Sequence, residues 1–487
     1  MSDLKNAAIN GVRYTGLSSA VTSVLQFVRI AVLARLLAPE DFGLMAMVML
    51  VVNFALILGQ MGFQDAIIQR KDPLKEELST LYWFNIAIGA VIFIAVWAMT
   101  PLFARIFKAG ELNVLIPVAS ISFLVLPLGS QFRALAQKSL NFRIVAFADI
   151  SFECVNLLVS LVCAWALKLE VWSLVWGQLA GAATRTTILM AHGFLKGNRP
   201  MLHFARADLK GYLGFGLYRV GATSVNYWNT RVDQLIIGIL MGPQTLGYYS
   251  VAVNIAVRPI RRLNPAIASV AYPVFSVIGD NLPRLKRGFF QMIRSISFVT
   301  SPVLIGMAAV APVAVPLIMG AKWGPSVPLI QVLVFYALVR SISGSGGSLI
   351  LARGRADWTF YWNVALLIVI STTIYAASLS GELLTMCWAL LSMAMVFFFF
   401  HYLFFIRRLI GPCLAVYISA AGGPMLMAGI MGLAVVGIAS TLPGGAGITL
   451  LLTQTAAGAL IFSILAWLFS REDLKNIKNL FFARNQP

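Results

Sequence analysis

Long apolar runs, each of about 20 residues, recur along the whole chain and decide what it can fold into. A helix of that length crosses the ~30 Å hydrocarbon core of a bilayer, where its backbone groups can bond only to one another. Charged residues make up 11% of the chain, against about 25% in a soluble domain. The polar intervals between the runs are too short for a soluble domain. The sequence therefore predicts an all-α integral membrane protein.

The apolar runs predict about fourteen transmembrane helices, at residues 13–34, 43–67, 80–104, 112–132, 146–167, 171–195, 213–241, 246–272, 289–319, 326–352, 359–380, 383–406, 412–439 and 446–470. Of the 37 Lys and Arg residues, 23 fall in one alternating set of loops and termini, among them Arg133, and five in the other. Cytoplasmic loops carry the excess of Lys and Arg. We therefore expect both termini in the cytoplasm. The same rule explains the net charge of +19 without any nucleic acid as partner.

A short motif occurs twice, as LLAPEDFGL at residues 36–44 and as LMGPQTLGY at residues 240–248, 204 positions later. Each copy joins two predicted helices, with Pro at the turn and Gly opening the next helix. Six helices separate the copies, so the two halves point the same way, as in transporters built from parallel repeats. This predicts an N-terminal six-helix lobe at 1–212, a C-terminal six-helix lobe at 213–410, and two additional helices with a basic tail at 411–487.

Arginine is in excess inside the predicted spans. Nine Arg lie there, against four acids, and each charge is costly in lipid unless it is paired or hydrated. A guanidinium group stays charged and donates two parallel hydrogen bonds to a phosphate. We therefore expect a cavity that attracts a pyrophosphate or an acidic sugar. The candidate substrate-binding residues are Arg29, Arg231, Arg258, Arg261, Arg262 and Arg340.

An alternative reading applies to these arginines, because an Arg near a helix end can extend to the lipid headgroups instead. Arg258, Arg261 and Arg262 share one helix face at spacing i, i+3, i+4, where their mutual repulsion calls for lipid headgroups, water or an anionic substrate. If the helix leaves the membrane early, the three are ordinary cytosolic anchors.

The acids inside the spans are open to two interpretations. Asp149 and Glu153 share a helix face, and a structural ion pair between Glu153 and Arg185 is one possibility. The other is that Asp149, Glu153 or Asp233 couples transport to protons or cations, since acids in membranes form such relays. The sequence contains no catalytic motif and no zinc or disulfide spacing of its four Cys. We expect no enzyme activity, no cofactor and no metal site.

Several segments resemble the Wzx-type bacterial polysaccharide flippases. In order along the chain, the segments are residues 33–43, 66–71, 81–85, 233–238 and 246–250. Residues 131–138 and 320–323 resemble the colanic acid and succinoglycan exporter group in particular. The chain is thereby identified as a member of the polysaccharide transporter branch of the multidrug/oligosaccharidyl-lipid/polysaccharide exporter superfamily.

The resemblance implies a flippase of the bacterial inner membrane that moves an undecaprenyl-pyrophosphate-linked oligosaccharide between leaflets by alternating access, for an exopolysaccharide similar to colanic acid. It implies membrane lipids as the surroundings and the polymerase and chain-length regulator of the export pathway as further partners. Two alternatives stay open. One is a cation-coupled multidrug antiporter on the same fold, which would have acids rather than arginines in its cavity. The other is a non-transporting scaffold for polymer assembly.

Overall fold

The computed structural model describes residues 2–60, 63–70, 73–209, 212–258, 260, 275–276, 281–441 and 447–471. Throughout these ranges the regular secondary structure is helical and no strand occurs, which confirms the all-α class. The predicted site residues Arg261 and Arg262 lie outside the described residues.

The helices begin and end as follows: α1 (Ser2–Leu36), α2 (Pro39–Gln60), α3 (Phe63–Gln69), α4 (Lys75–Phe107), α5 (Leu112–Ser120), α6 (Ser122–Lys138), α7 (Phe142–Trp165), α8 (Val171–Leu195), α9 (Tyr212–Ala256), α10 (Leu282–Met319), α11 (Ser326–Gly344), α12 (Gly346–Ala352), α13 (Ala356–Ser378), α14 (Leu383–His401), α15 (Arg407–Ile410), α16 (Leu414–Thr441) and α17 (Ile448–Phe469). A π-helical turn, Tyr402–Ile406, joins α14 to α15.

Among the described residues, twelve helical stretches are long and apolar enough to cross a membrane. The sixth predicted span corresponds to α8, which is long enough but carries Gln178 and Arg185 and is not among the twelve. The predicted spans 213–241 and 246–272 meet in α9, which breaks at Gly242 (φ 82°, ψ 178°). The end of the second falls outside the described ranges. The chain is a multi-pass membrane protein, as its sequence predicts.

The chain divides into two compact units, Met1–Gly247 and Tyr248–Pro487. In the first unit, α7 packs along both α1 and α8, and α6 packs against α8. The sixth predicted span contains the GxxxG pair Gly177 and Gly181, a helix-packing signal. A Cβ added at Gly177 would lie 1.9 Å from Ser160 Oγ, and one at Gly181 would lie 2.8 Å from the Phe152 carbonyl. The two glycines therefore let α8 approach α7 closely.

In the second unit, α10 packs against α11 and α16, and α17 covers α10 and α16. The two additional C-terminal helices are thus attached through α10. Aromatic rings fill the region where α10, α14 and α16 meet: Tyr417 stacks on Phe289 (6.2 Å between ring centroids) and on Phe398 (5.0 Å). His401 is buried against Trp362 and Phe405, so its role is packing within the protein.

The two copies of the repeated motif both form turns that open a helix at proline. In the first copy, α2 begins at Pro39, and the Asp41 carboxylate accepts a hydrogen bond from the Ala38 amide (2.8 Å). This bond satisfies an N–H that the helix itself cannot pair. In the second copy, Gly242 precedes Pro243. Its φ of 82° is a positive value that glycine adopts readily.

Candidate functional site

Two arginines share one aspartate inside the first unit. Arg133 of α6 donates two parallel hydrogen bonds to Asp149 of α7, at 2.7 and 2.8 Å. Arg185 of α8 approaches the same carboxylate at 3.8 Å and lies over the Phe152 ring, 4.9 Å from its centroid. The cluster carries two positive charges and one negative charge, so a net positive charge is left within the helix bundle.

This Arg–Asp–Arg cluster (Arg133, Asp149 and Arg185) borders a cavity. The side chains of its members are 26–29% exposed, and both arginines line a cavity of about 200 Å³. The polar groups that complete the lining are Gln64, Asn85, Ser130, Gln131 and Thr186. The cavity therefore has room for a phosphate group.

One polar group of the cavity wall is left without a partner. Gln131 is only 5% exposed, and within the described part of the chain its Oε1 accepts no hydrogen bond. Nearby, Asn85 Nδ2 donates to Ser130 Oγ at 2.6 Å. Buried amide oxygens are nearly always paired. The Gln131 carbonyl is therefore an acceptor available to a molecule in the cavity.

A second polar cluster lies between α1 and α7. Glu153 is 5% exposed and accepts a hydrogen bond from Gln26 on one carboxylate oxygen, while its Oε2 has no partner among the described residues. Arg29, one turn along α1 from Gln26, interacts electrostatically with Glu153, and its Nε is buried without a hydrogen bond. This Gln–Arg–Glu cluster (Gln26, Arg29 and Glu153) has a buried acid that is only half satisfied.

The polar face of α7 continues beyond both clusters. Asn156 Nδ2 donates to Gln178 Oε1 of α8 at 3.2 Å, and Ser160 Oγ donates to Asn156 Oδ1 at 3.2 Å. Asp149, Glu153, Asn156 and Ser160 thus form one stripe at helical spacing along an apolar segment. The stripe reaches α6 and α8 at one end and α1 in the middle.

The expected ion pair between Glu153 and Arg185 is wrong. Arg185 instead approaches Asp149, and Glu153 faces α1, because neighbouring helices flank α7 on different sides. Arg133 was also assigned wrongly, to a loop. The fourth predicted span ends at residue 132, whereas α6 continues to Lys138, so Arg133 lies inside the helix.

Three of the remaining predicted site residues have contacts within their own helices. Arg231 donates to Gln234 Oε1 at 2.8 Å, and Arg340 donates to the Tyr336 hydroxyl at 2.9 Å while lying over its ring. Asp233 Oδ1 accepts from the Gln234 amide at 2.8 Å. Arg258 is half-buried, two residues past the end of α9. Their roles in binding or coupling stay predictions.

Comparisons with known proteins identify the family. The model of the family described as "Polysaccharide biosynthesis protein" matches residues 32–328. The lipopolysaccharide biosynthesis protein WzxC of Escherichia coli (strain K12) is 33% identical over 74% of this chain and 73% of its own length. The chain belongs to the Wzx-type polysaccharide flippases. Members of this family are transport proteins, so the chain is not an enzyme.

Other relatives and solved structures agree with this family. The teichuronic acid biosynthesis protein TuaB of Bacillus subtilis (strain 168) is 29% identical over 90% of both chains. The fold is that of the lipid II flippase MurJ in an inward closed conformation (TM-score 0.75, 14% identity, 95% of this chain and 99% of that chain). A MATE multidrug transporter in its inward-facing conformation is also similar (TM-score 0.62, 15% identity, 80% and 94%). The flippase therefore has the fold of the wider exporter superfamily.

Proposed function

We propose that this flippase moves an undecaprenyl-pyrophosphate-linked oligosaccharide repeat unit from the cytoplasmic to the periplasmic leaflet of a bacterial inner membrane by alternating access. The polymer is an exopolysaccharide of the colanic acid kind, and both termini lie in the cytoplasm. The observation that carries the proposal is the Arg–Asp–Arg cluster, which brings a net positive charge to a polar cavity inside the membrane domain.

The chemistry of this cluster suits a pyrophosphate. Arg133 is held in place by its two bonds to Asp149, whereas Arg185 makes only the longer 3.8 Å contact. Arg185 therefore has guanidinium N–H groups to donate to an incoming anion. Arg133 adds a second positive charge beside the same cavity. A guanidinium fork binds phosphate oxygens with two hydrogen bonds. The prenyl tail stays in the lipid, and the sugars extend away from the arginines.

The remaining arginines extend the path of the anion in this proposal. Arg29, Arg231, Arg258, Arg261, Arg262 and Arg340 are the candidates that contact the pyrophosphate or acidic sugars elsewhere along the pathway. Membrane lipids surround the protein, and the polymerase and chain-length regulator of the pathway are its proposed partners. Neutralising Arg258 and Arg262 together is expected to abolish export while membrane insertion continues. Normal export by that well-expressed double variant would remove these two residues from the pathway.

The experiment separates the effect of the positive charge on Arg185 from the effect of the Arg133–Asp149 ion pair. Arg185→Gln leaves the neutral Arg133–Asp149 pair, whereas Arg133→Gln combined with Asp149→Asn leaves the single charge of Arg185. We expect Arg185→Gln to reduce polysaccharide export about tenfold or more, the rate equivalent of roughly 1.4 kcal/mol. The charge-preserving double variant is expected to keep most of the export.

Two matched controls accompany these variants in cells that lack the chromosomal gene. Arg185→Lys keeps the charge and is expected to retain part of the activity. Arg105→Gln removes an exposed charge at the end of α4 and is expected to export normally. The readouts are surface polysaccharide and lipid-linked repeat units retained in the inner leaflet. Normal export by a well-expressed Arg185→Gln variant would overturn the role of the cluster.

A second candidate function is cation-coupled drug antiport, and Glu153 is the observation that favours it. Glu153 is buried within the first unit, and acids inside membrane helices form proton or cation relays in transporters. Deleting the gene distinguishes the two functions: an antiporter changes drug susceptibility, whereas the proposed flippase removes surface polysaccharide. Both arrangements can coexist, since a proton-coupled flippase also needs such an acid.

A further inference from the structure

The two turns that carry the repeated motif lie against each other. An ideal Cβ atom built on Gly43 would lie 1.7 Å from the carbonyl oxygen of Pro243. One built on Gly247 would lie 1.8 Å from the carbonyl oxygen of Pro39. Each glycine of one turn thus faces the first helical carbonyl of the other turn, at the positions where the two copies of the motif match.

The contact is reciprocal. Gly43 and Gly247 are equivalent positions of the repeat, 204 residues apart, and so are Pro39 and Pro243. Gly43 contacts Pro243, and the equivalent Gly247 contacts the equivalent Pro39. A reciprocal pair of contacts of this kind is the mark of two-fold symmetry. The contact between the two turns therefore has approximate two-fold symmetry of its own.

The contact leaves no room for a side chain. The atoms in the way of a Cβ are main-chain atoms, at distances that real Cβ atoms essentially never show. Pro39, Gly43 and Gly247 are buried. Each carbonyl oxygen lies in the direction of a glycine Cα–H, as in the Cα–H···O contacts between closely packed backbones. Only glycine at both positions allows the turns to meet in this way.

The close approach continues from the turns into the membrane. The Tyr227 hydroxyl of α9 donates to the Leu50 carbonyl of α2 at 2.8 Å. The Phe54 ring packs on Tyr227 (5.9 Å) and Trp228 (5.0 Å). Leu50 lies seven residues beyond Gly43, which is about 10 Å along a helix. The part of α9 before Gly242 therefore contacts α2 about 10 Å beyond the glycine contact.

We infer that Gly43 and Gly247 seal the transport pathway on its extracytoplasmic side, and that the two turns separate there to release the substrate. The inference rests on the proposed function, since the loops rich in Lys and Arg assign the opposite end to the cytoplasm. Glycine at both positions is what allows closure. An added methyl group holds the turns apart and leaves the outer side open.

The test measures outward access directly. In a chain whose four cysteines (Cys154, Cys163, Cys387 and Cys413) are replaced, Leu50→Cys reports access from behind the seal, because Leu50 is 3% exposed and bonds Tyr227 through its backbone only. A membrane-impermeant maleimide is applied from outside. Labelling is expected to be low with both glycines present and to rise about fivefold in Gly43→Ala or Gly247→Ala as the closed population falls. Export is expected to fall about tenfold.

The control is Gly429→Ala in α16, where an added Cβ meets nothing within 4 Å. It is expected to change neither labelling nor export. Because the seal is one contact with two sides, the Gly43→Ala/Gly247→Ala double variant is expected to be no worse than either single variant.

Each outcome decides the inference. Unchanged labelling and export in a well-inserted Gly43→Ala variant would overturn it. So would loss of the glycine variants from the membrane, which would show a permanent packing contact and not one that opens. The glycine variants could show increased labelling while the wild-type protein exports no polysaccharide. That result would support the seal and reject the proposed substrate.

Discussion

Asp149 and Glu153 lie one turn apart on α7, yet they differ in exposure and in the partners that their carboxylates contact. Asp149 is partly exposed beside the cavity and bonded by one arginine and approached by another. Glu153 is nearly inaccessible and accepts one hydrogen bond from a neutral amide. The first acid is held by its partners and serves to fix two cations. The second interacts electrostatically with Arg29 and has one carboxylate oxygen without a hydrogen bond among the described residues.

Asp149→Asn is expected to have the largest effect on stability. It leaves Arg133 and Arg185 facing each other without a counter-charge, and removing one partner of a buried ion pair costs about 3 kcal/mol. The measurement is the melting temperature of the purified protein in detergent. Combining Asp149→Asn with Arg133→Gln is expected to recover most of the loss, because the repulsion disappears. A variant as stable as wild type would mean that water already screens the two arginines.

Gly177→Ala is expected to have the next largest effect, about 2 kcal/mol, because a methyl group would overlap the Ser160 hydroxyl between α7 and α8. This variant tests whether the close approach of α8 to α7 keeps the polar stripe of α7 aligned with its partners on α8. Thermal unfolding in detergent measures it, with Gly429→Ala as the matched control in open space. Equal melting temperatures for the two variants would show that α8 can shift freely.

Glu153→Gln is expected to cost about 1.5 kcal/mol, because a neutral amide can keep the contact with Gln26 but leaves the buried Arg29 without its electrostatic partner. A further effect is expected on transport: export should lose its dependence on the proton gradient. The measurement is export in cells with and without an uncoupler. A strong loss of stability with normal coupling would assign Glu153 a structural role like that of Asp149.

Arg70→Gln is expected to have the smallest effect, between zero and about 1 kcal/mol. Arg70 bonds Glu77 at 2.6 Å, but its side chain is 42% exposed. The pair repeats the chemistry of Arg133 and Asp149 at the surface, where water and salt weaken it. Thermal unfolding at low and high salt measures the difference. A loss as large as that of Asp149→Asn would contradict the importance of burial.

The sequence predicts the helical fold well because apolar length is a local property. The motif shared by residues 36–44 and 240–248 likewise identifies equivalent turns, since proline and glycine act on the backbone where they stand. The choice of partners is not local. Asp149 and Glu153 share a face of α7, but α1, α6 and α8 surround that helix, and a helical face does not say which neighbour a side chain meets.

One signal for the Arg–Asp–Arg cluster was present and missed. The turn between α6 and α7 falls near residues 139–141, so Arg133 and Asp149 stand at similar distances before and after it. In a pair of helices joined by a short turn, residues equidistant from the turn lie at the same depth. Counting outward from the turn would have paired them. Gln131 gives no such signal, because a buried unpaired amide is visible only in three dimensions.

At the seal proposed for Gly43 and Gly247, the atoms nearest to a Cβ added at each glycine are main-chain atoms of the other turn, and main-chain atoms do not titrate. The close contact itself should therefore not depend on an ion gradient. The energy that drives the cycle must then enter through a different part of the molecule, one with a group whose charge can change. In the first unit the acids on α7, Asp149 and Glu153, lie away from these turns, beside the cavity and against α1.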